Sequence, residues 1–167
     1  MIKIVFTGPE SSGKTTISKA ISKNFNLPIV EEYARKYLTQ LKRKYKYTDL
    51  VEIAKGQLKL EQKGFKPNTK ILICDTNLQV IKIWSQIKYN QCDSFILKNQ
   101  DFNCFYVLCS PDFQWVSDPL RENKHNRDEL FEEYHAELKK NKCKFIVIKG
   151  AHEKRMSTIS DLIQKMI

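Results

Sequence analysis

Gly8, Gly13, Lys14 and Thr15 stand within the stretch GPESSGKTT (8–16) and fit the spacing G-x-x-x-x-G-K-[ST]. In that pattern the glycines permit a tight turn whose successive N–H groups converge on phosphate oxygens. A lysine adds a mobile positive charge for the outer phosphates, and the hydroxyl after it suits a Mg²⁺ ligand. The candidate ligands of a nucleoside triphosphate are therefore Gly8, Glu10, Ser11, Ser12, Gly13, Lys14, Thr15 and Thr16. The motif needs a strand before it and a helix after it. Ile2, Ile4, Val5 and Phe6 supply the first; Ile17, Ala20, Ile21 and Phe25, on one helical face, supply the second. Phosphate would then sit at a helix N-terminus, where unsatisfied N–H groups favour an anion.

Three further groups have the types that phosphoryl transfer requires. Asp75 closes the apolar run KILICD (70–75), where a carboxylate holds Mg²⁺ directly or through water; it also reads as the N-cap of a helix starting at Thr76. Glu31 and Glu32 precede Tyr33 and Arg35. A carboxylate beside the γ-phosphate orients an acceptor hydroxyl and takes up its proton, whereas acids at this place also suit a helix start. Consecutive side chains diverge, so one of the two glutamates faces a site. Arg121 and Arg127 stand six apart in the polar, proline-containing stretch 110–126. On a mobile flap they would neutralise a transferring phosphoryl group; on a plain surface they would pair with Asp118, Glu122 or Asp128. A loop of that length in a compact domain is functional or disordered, and beside a phosphate site it reads as a lid over about 111–127 that excludes water. Gly150-Ala151-His152 opens the last helix and is a candidate contact for the nucleotide base.

These groups need a frame. Strands are expected at 2–6, 28–32, 70–75, 104–109 and 144–149. Helices are expected after the glycine loop, at 33–41, through Leu50, Ala54 and Leu58 to Gly64, through Val80, Ile83, Trp84 and Ile87, at 129–140, and at the C-terminal end. Strand–helix alternation with near-continuous apolar strands predicts an α/β, three-layer P-loop fold with a five-stranded parallel sheet in a single domain, 1–167. Ligands in such sheets gather at the carboxyl ends of strands, which is where the candidate residues fall.

Composition narrows the classes. No signal peptide or apolar run of transmembrane length is present, and five scattered cysteines without C-x-x-C spacing read as reduced and apolar, so a cytoplasmic location is expected and a structural zinc site is not. The net charge is +10, and 35–46 holds six basic residues, no acidic ones, and Tyr37 and Tyr45. Nucleic acid is one partner for such a run; a solvated helix face or a basic rim around an anionic substrate is favoured over it.

GPESSGKTT, EYARKY (32–37), ICDT (73–76) and WVSDPLR…NR (115–127) together resemble the NadR-type ribosylnicotinamide kinase domains, P-loop proteins often grouped with AAA-domain ATPases. The resemblance runs over nearly the whole chain, with the motifs in the family's order. It implies ATP- and Mg²⁺-dependent phosphorylation of the 5′-hydroxyl of nicotinamide riboside. By motif position it implies Glu32, Tyr33 and Arg35 on the riboside side, Asp75 for magnesium and catalysis, and Trp115, Asp118 and Arg121 in the lid; it is also why Glu32 is preferred to Glu31. The sequence departs from the family at Glu31, where bifunctional members carry a tryptophan able to stack on the nicotinamide ring; Tyr33, Tyr37 and Trp84 are the alternative platforms. It also begins at the P-loop strand, so the resemblance concerns the kinase module alone. Another nucleoside or nucleoside monophosphate as acceptor, and a nucleic-acid-responsive ATPase, are the competing readings.

Overall fold

The computed structural model describes residues 2–68 and 70–166. In chain order the elements are β1 (Ile2–Thr7), α1 (Lys14–Phe25), β2 (Ile29–Val30), α2 (Tyr33–Gln40), α3 (Tyr47–Gly64), β3 (Ile71–Asp75), α4 (Leu78–Tyr89), α5 (Ser94–Lys98), β4 (Phe105–Cys109), α6 (Arg127–Lys140), β5 (Lys144–Ile148) and α7 (His152–Gln164). The five strands form one parallel sheet in the order β2-β3-β1-β4-β5. This is the α/β P-loop fold with a five-stranded parallel sheet expected from the sequence.

Side chains alternate across the sheet and so build two cores. On one face Ile4, Phe6, Ile73 and Val107 pack against Ile17 and Ile21 of α1 and Ile159 and Ile163 of α7. On the other, Val5, Leu72, Cys74, Tyr106 and Leu108 meet Ile83 of α4 and Tyr134 and Leu138 of α6. A third cluster joins Leu50, Ile53 and Ala54 of α3 to Leu78 and Ile81 of α4 and Ile96 of α5. Every residue of β3 is buried, which explains its unbroken apolar run. β1 is central, with β3 on one side and β4 on the other, and the chain leaves it first towards β2 and only later towards β4. The crevice at this switch point lies directly over the carboxyl end of β1.

Three details differ from the sequence reading. The second strand is two residues, not five, because this edge strand pairs only through Ile29 with Ile73 and Val30 with Cys74. The short helix α5 has too few residues to show a period; its start is marked by Asp93, whose Oδ1 accepts from Phe95 N at 2.8 Å. The N-cap of α4 is Asn77, whose side chain accepts from Gln79 N, so Asp75 is not the helix cap. Among the described residues no helix is long and apolar enough to cross a membrane. All five cysteines are free; Cys74, Cys104 and Cys109 are buried and Cys92 and Cys143 half-buried.

Candidate functional site

The loop between β1 and α1 is shaped by its glycines. Gly8 has φ +129°, and a Cβ there would meet the carbonyl oxygen of Cys109 at 2.6 Å, so the loop can lie this close to β4 only with glycine. Ser12 is fully buried and donates to Pro9 O at 2.8 Å. Lys14 Nζ donates to Gly8 O at 2.8 Å and Pro9 O at 2.6 Å, curling over the loop that its own backbone helps to form. The N-terminus of α1 begins at Lys14, so its free N–H groups face the same space.

Asp75 ends β3 beside this loop and is 2 % exposed. Its Oδ1 is buried without a hydrogen-bond partner among the described residues. Burial raises its carboxyl above the ordinary range, against the pull of the Thr15 hydroxyl and of Lys14 and Lys19. An orphaned carboxylate oxygen next to a threonine hydroxyl fits Mg²⁺, which takes few protein ligands and completes its shell with water and phosphate. No group of three or more His, Cys, Asp or Glu among the described residues is arranged to hold a metal by itself.

Glu32 occupies the N-cap position of α2 and faces the same crevice. Burial raises its carboxyl as well, opposed by Lys14 and Arg35 and reinforced by Asp75 and Glu10. Glu31 turns outward to Lys19 at 2.7 Å. Consecutive glutamates therefore diverge, and Glu32 is the inward one.

A cavity of about 380 Å³ brings much of this together. Its walls include Gly8 to Thr16, Glu32, Arg35, Arg121 and, along α4, Val80, Ile83, Trp84, Ile87 and Lys88. Tyr33, Asp75, Trp115, Asp118 and Arg127 do not line it. Tyr33 lies against Gly56 of α3 and tilts on Tyr37 at 6.3 Å. Tyr37 in turn donates to Asp49. Of the three candidate platforms, only Trp84 borders the cavity. Asp118 pairs with Arg35 at 3.0 Å, joining α2 to the 110–126 segment. Trp115 sits under the Lys124 ammonium, its Nε1 buried without a hydrogen-bond partner among the described residues. Arg127 donates to Phe113 O at 2.9 Å and Ser11 O at 3.4 Å, and Arg121 to Val116 O at 2.6 Å. The basic run is partly answered from outside itself, since Arg43 forks onto Asp49 at 2.7 and 2.8 Å.

Two sets of contacts had no clear signal in the sequence. Glu10 accepts from Glu122 N, Asn123 N and Asn123 Nδ2 at 3.0–3.1 Å, tying the 110–126 segment to the glycine loop. Arg155, 1 % exposed, donates to Ser12 O, Ser110 O, Gly150 O and Asp112 at 2.8–3.0 Å, with its guanidinium on the Phe113 ring. In sequence it reads as one more base among many on a surface helix. His152 begins α7 and does not border the cavity.

A family described as AAA domain matches residues 3–155. Among solved structures, a NadR protein in complex with NR superposes with a TM-score of 0.79 at 19 % identity, over 99 % of this chain and 51 % of that one. A deoxyadenosine kinase from M. mycoides with bound dCTP gives 0.64 at 19 %, over 98 % and 100 %. A thymidylate kinase from Ehrlichia chaffeensis gives 0.61 at 16 %, over 96 % and 98 %. The chain thus spans about half the length of the NadR protein and nearly all of the other two. At these identities the likeness is one of fold. No curated protein sequence matches.

Proposed function

This chain belongs to the AAA domain family, and from that premise we propose that it is an ATP- and Mg²⁺-dependent small-molecule kinase whose acceptor is the 5′-hydroxyl of nicotinamide riboside. The observation that carries the proposal is the shared cavity: the phosphate loop, Glu32, Arg121 and an aromatic-lined apolar wall border one space. Loop amides and Lys14 hold the β- and γ-phosphates. Thr15 and Asp75 would hold Mg²⁺, which would supply positive charge to offset that of the phosphates. Glu32 orients the acceptor hydroxyl and receives its proton; a carboxyl raised by burial is a better base for that task than an exposed one. Arg121 meets the charge of the group in transfer, and Arg127 fixes the root of the lid against Ser11. The lid, tied to Glu10, keeps water from competing with the acceptor. Trp84 offers a face for the base in place of the tryptophan that Glu31 replaces.

A second reading, another nucleoside or nucleoside monophosphate as acceptor, is favoured by the full-length coverage of the deoxyadenosine and thymidylate kinases. A nucleic-acid-responsive ATPase is less well supported, because Arg35 and Arg43 of the basic run already have acidic partners. ADP release with ATP and Mg²⁺ is to be measured against nicotinamide riboside, a panel of nucleosides and monophosphates, and short RNA. Release with nicotinamide riboside, giving nicotinamide mononucleotide, is expected. Release with another nucleoside moves the acceptor and keeps the kinase; release with RNA alone overturns it. Lys14→Ala is expected to lower transfer by at least about 100-fold, and full activity in that variant refutes the site.

A further inference from the structure

One charged pair in the cavity has no part in the phosphate chemistry. Lys88, near the end of α4, and Glu122, in the segment before α6, both border the space, and Lys88 Nζ lies 2.8 Å from each Glu122 carboxylate oxygen. Tyr45 binds them to the aromatic wall: its hydroxyl donates to Glu122 Oε2 at 2.7 Å and accepts from Trp84 Nε1 at 3.0 Å. The two rings meet edge-on at 4.9 Å. Lys88 also lies over the Tyr45 ring at 4.1 Å and bonds its hydroxyl. On α4, Val80, Ile83, Trp84, Ile87 and Lys88 fall at i, i+3, i+4, i+7 and i+8. They form one face about 12 Å long, an apolar strip that ends in a charge pair. The other end of the arrangement is fixed too, because the backbone N–H of Glu122 is bound by Glu10 of the phosphate loop.

We propose that Lys88 and Glu122 are the specificity-determining pair of the acceptor site, reading the polar edge of the acceptor's base, and that this edge is an uncharged amide. The inference rests on the acceptor reading above. An ammonium has donors only, and a carboxylate acceptors only. Side by side they match an edge that presents a carbonyl oxygen to the lysine and an N–H to the glutamate. The pair is neutral as a whole, so a neutral base satisfies both members. A base bearing a carboxylate satisfies Lys88 alone and sets a like charge against Glu122. Both side chains are partly solvated, at 35 % and 46 % exposure, which holds the discrimination to a moderate size.

The test compares nicotinamide riboside with nicotinic acid riboside, which differ only in amide against carboxylate, as kcat/KM ratios in wild type, Glu122→Gln and Lys88→Met. Because each ratio is taken within one preparation, the folded fraction cancels. Wild type is expected to prefer the amide. Glu122→Gln is expected to shift the ratio towards the acid by about tenfold, and Lys88→Met to shift it by a similar factor towards the amide. Opposite shifts are something that a merely structural pair does not produce. Equal losses on both ribosides, or ratios unchanged in both variants while wild type phosphorylates nicotinamide riboside, overturn this inference and leave the acceptor reading intact. Wild type that phosphorylates neither riboside but another nucleoside overturns both and leaves the kinase.

Discussion

Glu32 and Asp75 are two carboxyls withdrawn from water near one lysine, and burial raises both. A carboxyl whose folded value lies above its unfolded one favours folding while protonated. That contribution is present below the unfolded value, 4.5 for a glutamate, and is lost as pH rises through the folded value. Above its raised folded value the ionised Glu32 therefore works against stability, as a group held for chemistry often does. Glu32→Gln keeps the shape and removes the charge. Its melting temperature is expected to exceed that of wild type at pH 8, with the gap closing as pH falls through the raised folded value and gone below the unfolded 4.5, while phosphotransfer is lost. Melting curves across pH in the ligand-free protein check the first; a variant no more stable than wild type at pH 8 contradicts the assignment of Glu32 as a partly buried carboxyl raised by desolvation.

α2 borders the cavity through Ala34, Arg35 and Leu38, and it is close-packed on α3. A Cβ on Gly56 of α3 would meet the Tyr33 ring of α2 at 2.0 Å. Alanine improves helix propensity by about 1 kcal/mol, yet overpacking here costs about 1–3 kcal/mol, so Gly56→Ala is expected to lower the melting temperature. The loss should shrink in a Tyr33→Ala background, since the two residues are in direct contact; an equal loss in both backgrounds refutes the clash. The start of α3 depends on Asp49, which accepts from Lys46 N, Tyr37 and Arg43 while buried. The hydrogen bonds from Arg43 are the foremost cause that holds its carboxyl far below the usual range. Asp49→Asn should cost about 2 kcal/mol at neutral pH, and the difference should shrink as pH falls below the unfolded value of 3.8 towards the depressed folded one; urea melts at neutral and acid pH read this out.

Three loops at the carboxyl ends of the strands behave as one assembly. Arg155 holds the glycine loop, the segment after β4 and the loop after β5, and Glu10 and Arg127 attach the 110–126 segment to the same loop. If that segment is the lid proposed above, its anchorage governs how well water is kept from the γ-phosphate. Glu10→Ala, which removes three of the ties, is expected to raise ATP hydrolysis without acceptor relative to transfer, and to increase protease cleavage within 110–126. An unchanged ratio of hydrolysis to transfer, with unchanged cleavage, counts against the lid.

The period of the apolar residues and the spacing of the glycines made the strands, most helices, the parallel sheet and the phosphate loop legible in advance. These are local consequences of alternation, helical repeat and the conformations open only to glycine. The carboxyl-end rule then singles out Asp75 and the Glu31–Glu32 pair from the sequence. Tertiary structure alone decided the rest. It turned Glu31 to Lys19 and Glu32 into the cavity. It kept Tyr33 and Tyr37 for packing and hydrogen bonding and put Trp84 on the wall, and it made Arg155 a buried hub. Lys88 and Glu122, 34 residues apart, meet there, as do Glu10 and Asn123, 113 apart. No sequence period records such partners, because a long-range contact depends on how the elements cross rather than on the residues that flank it.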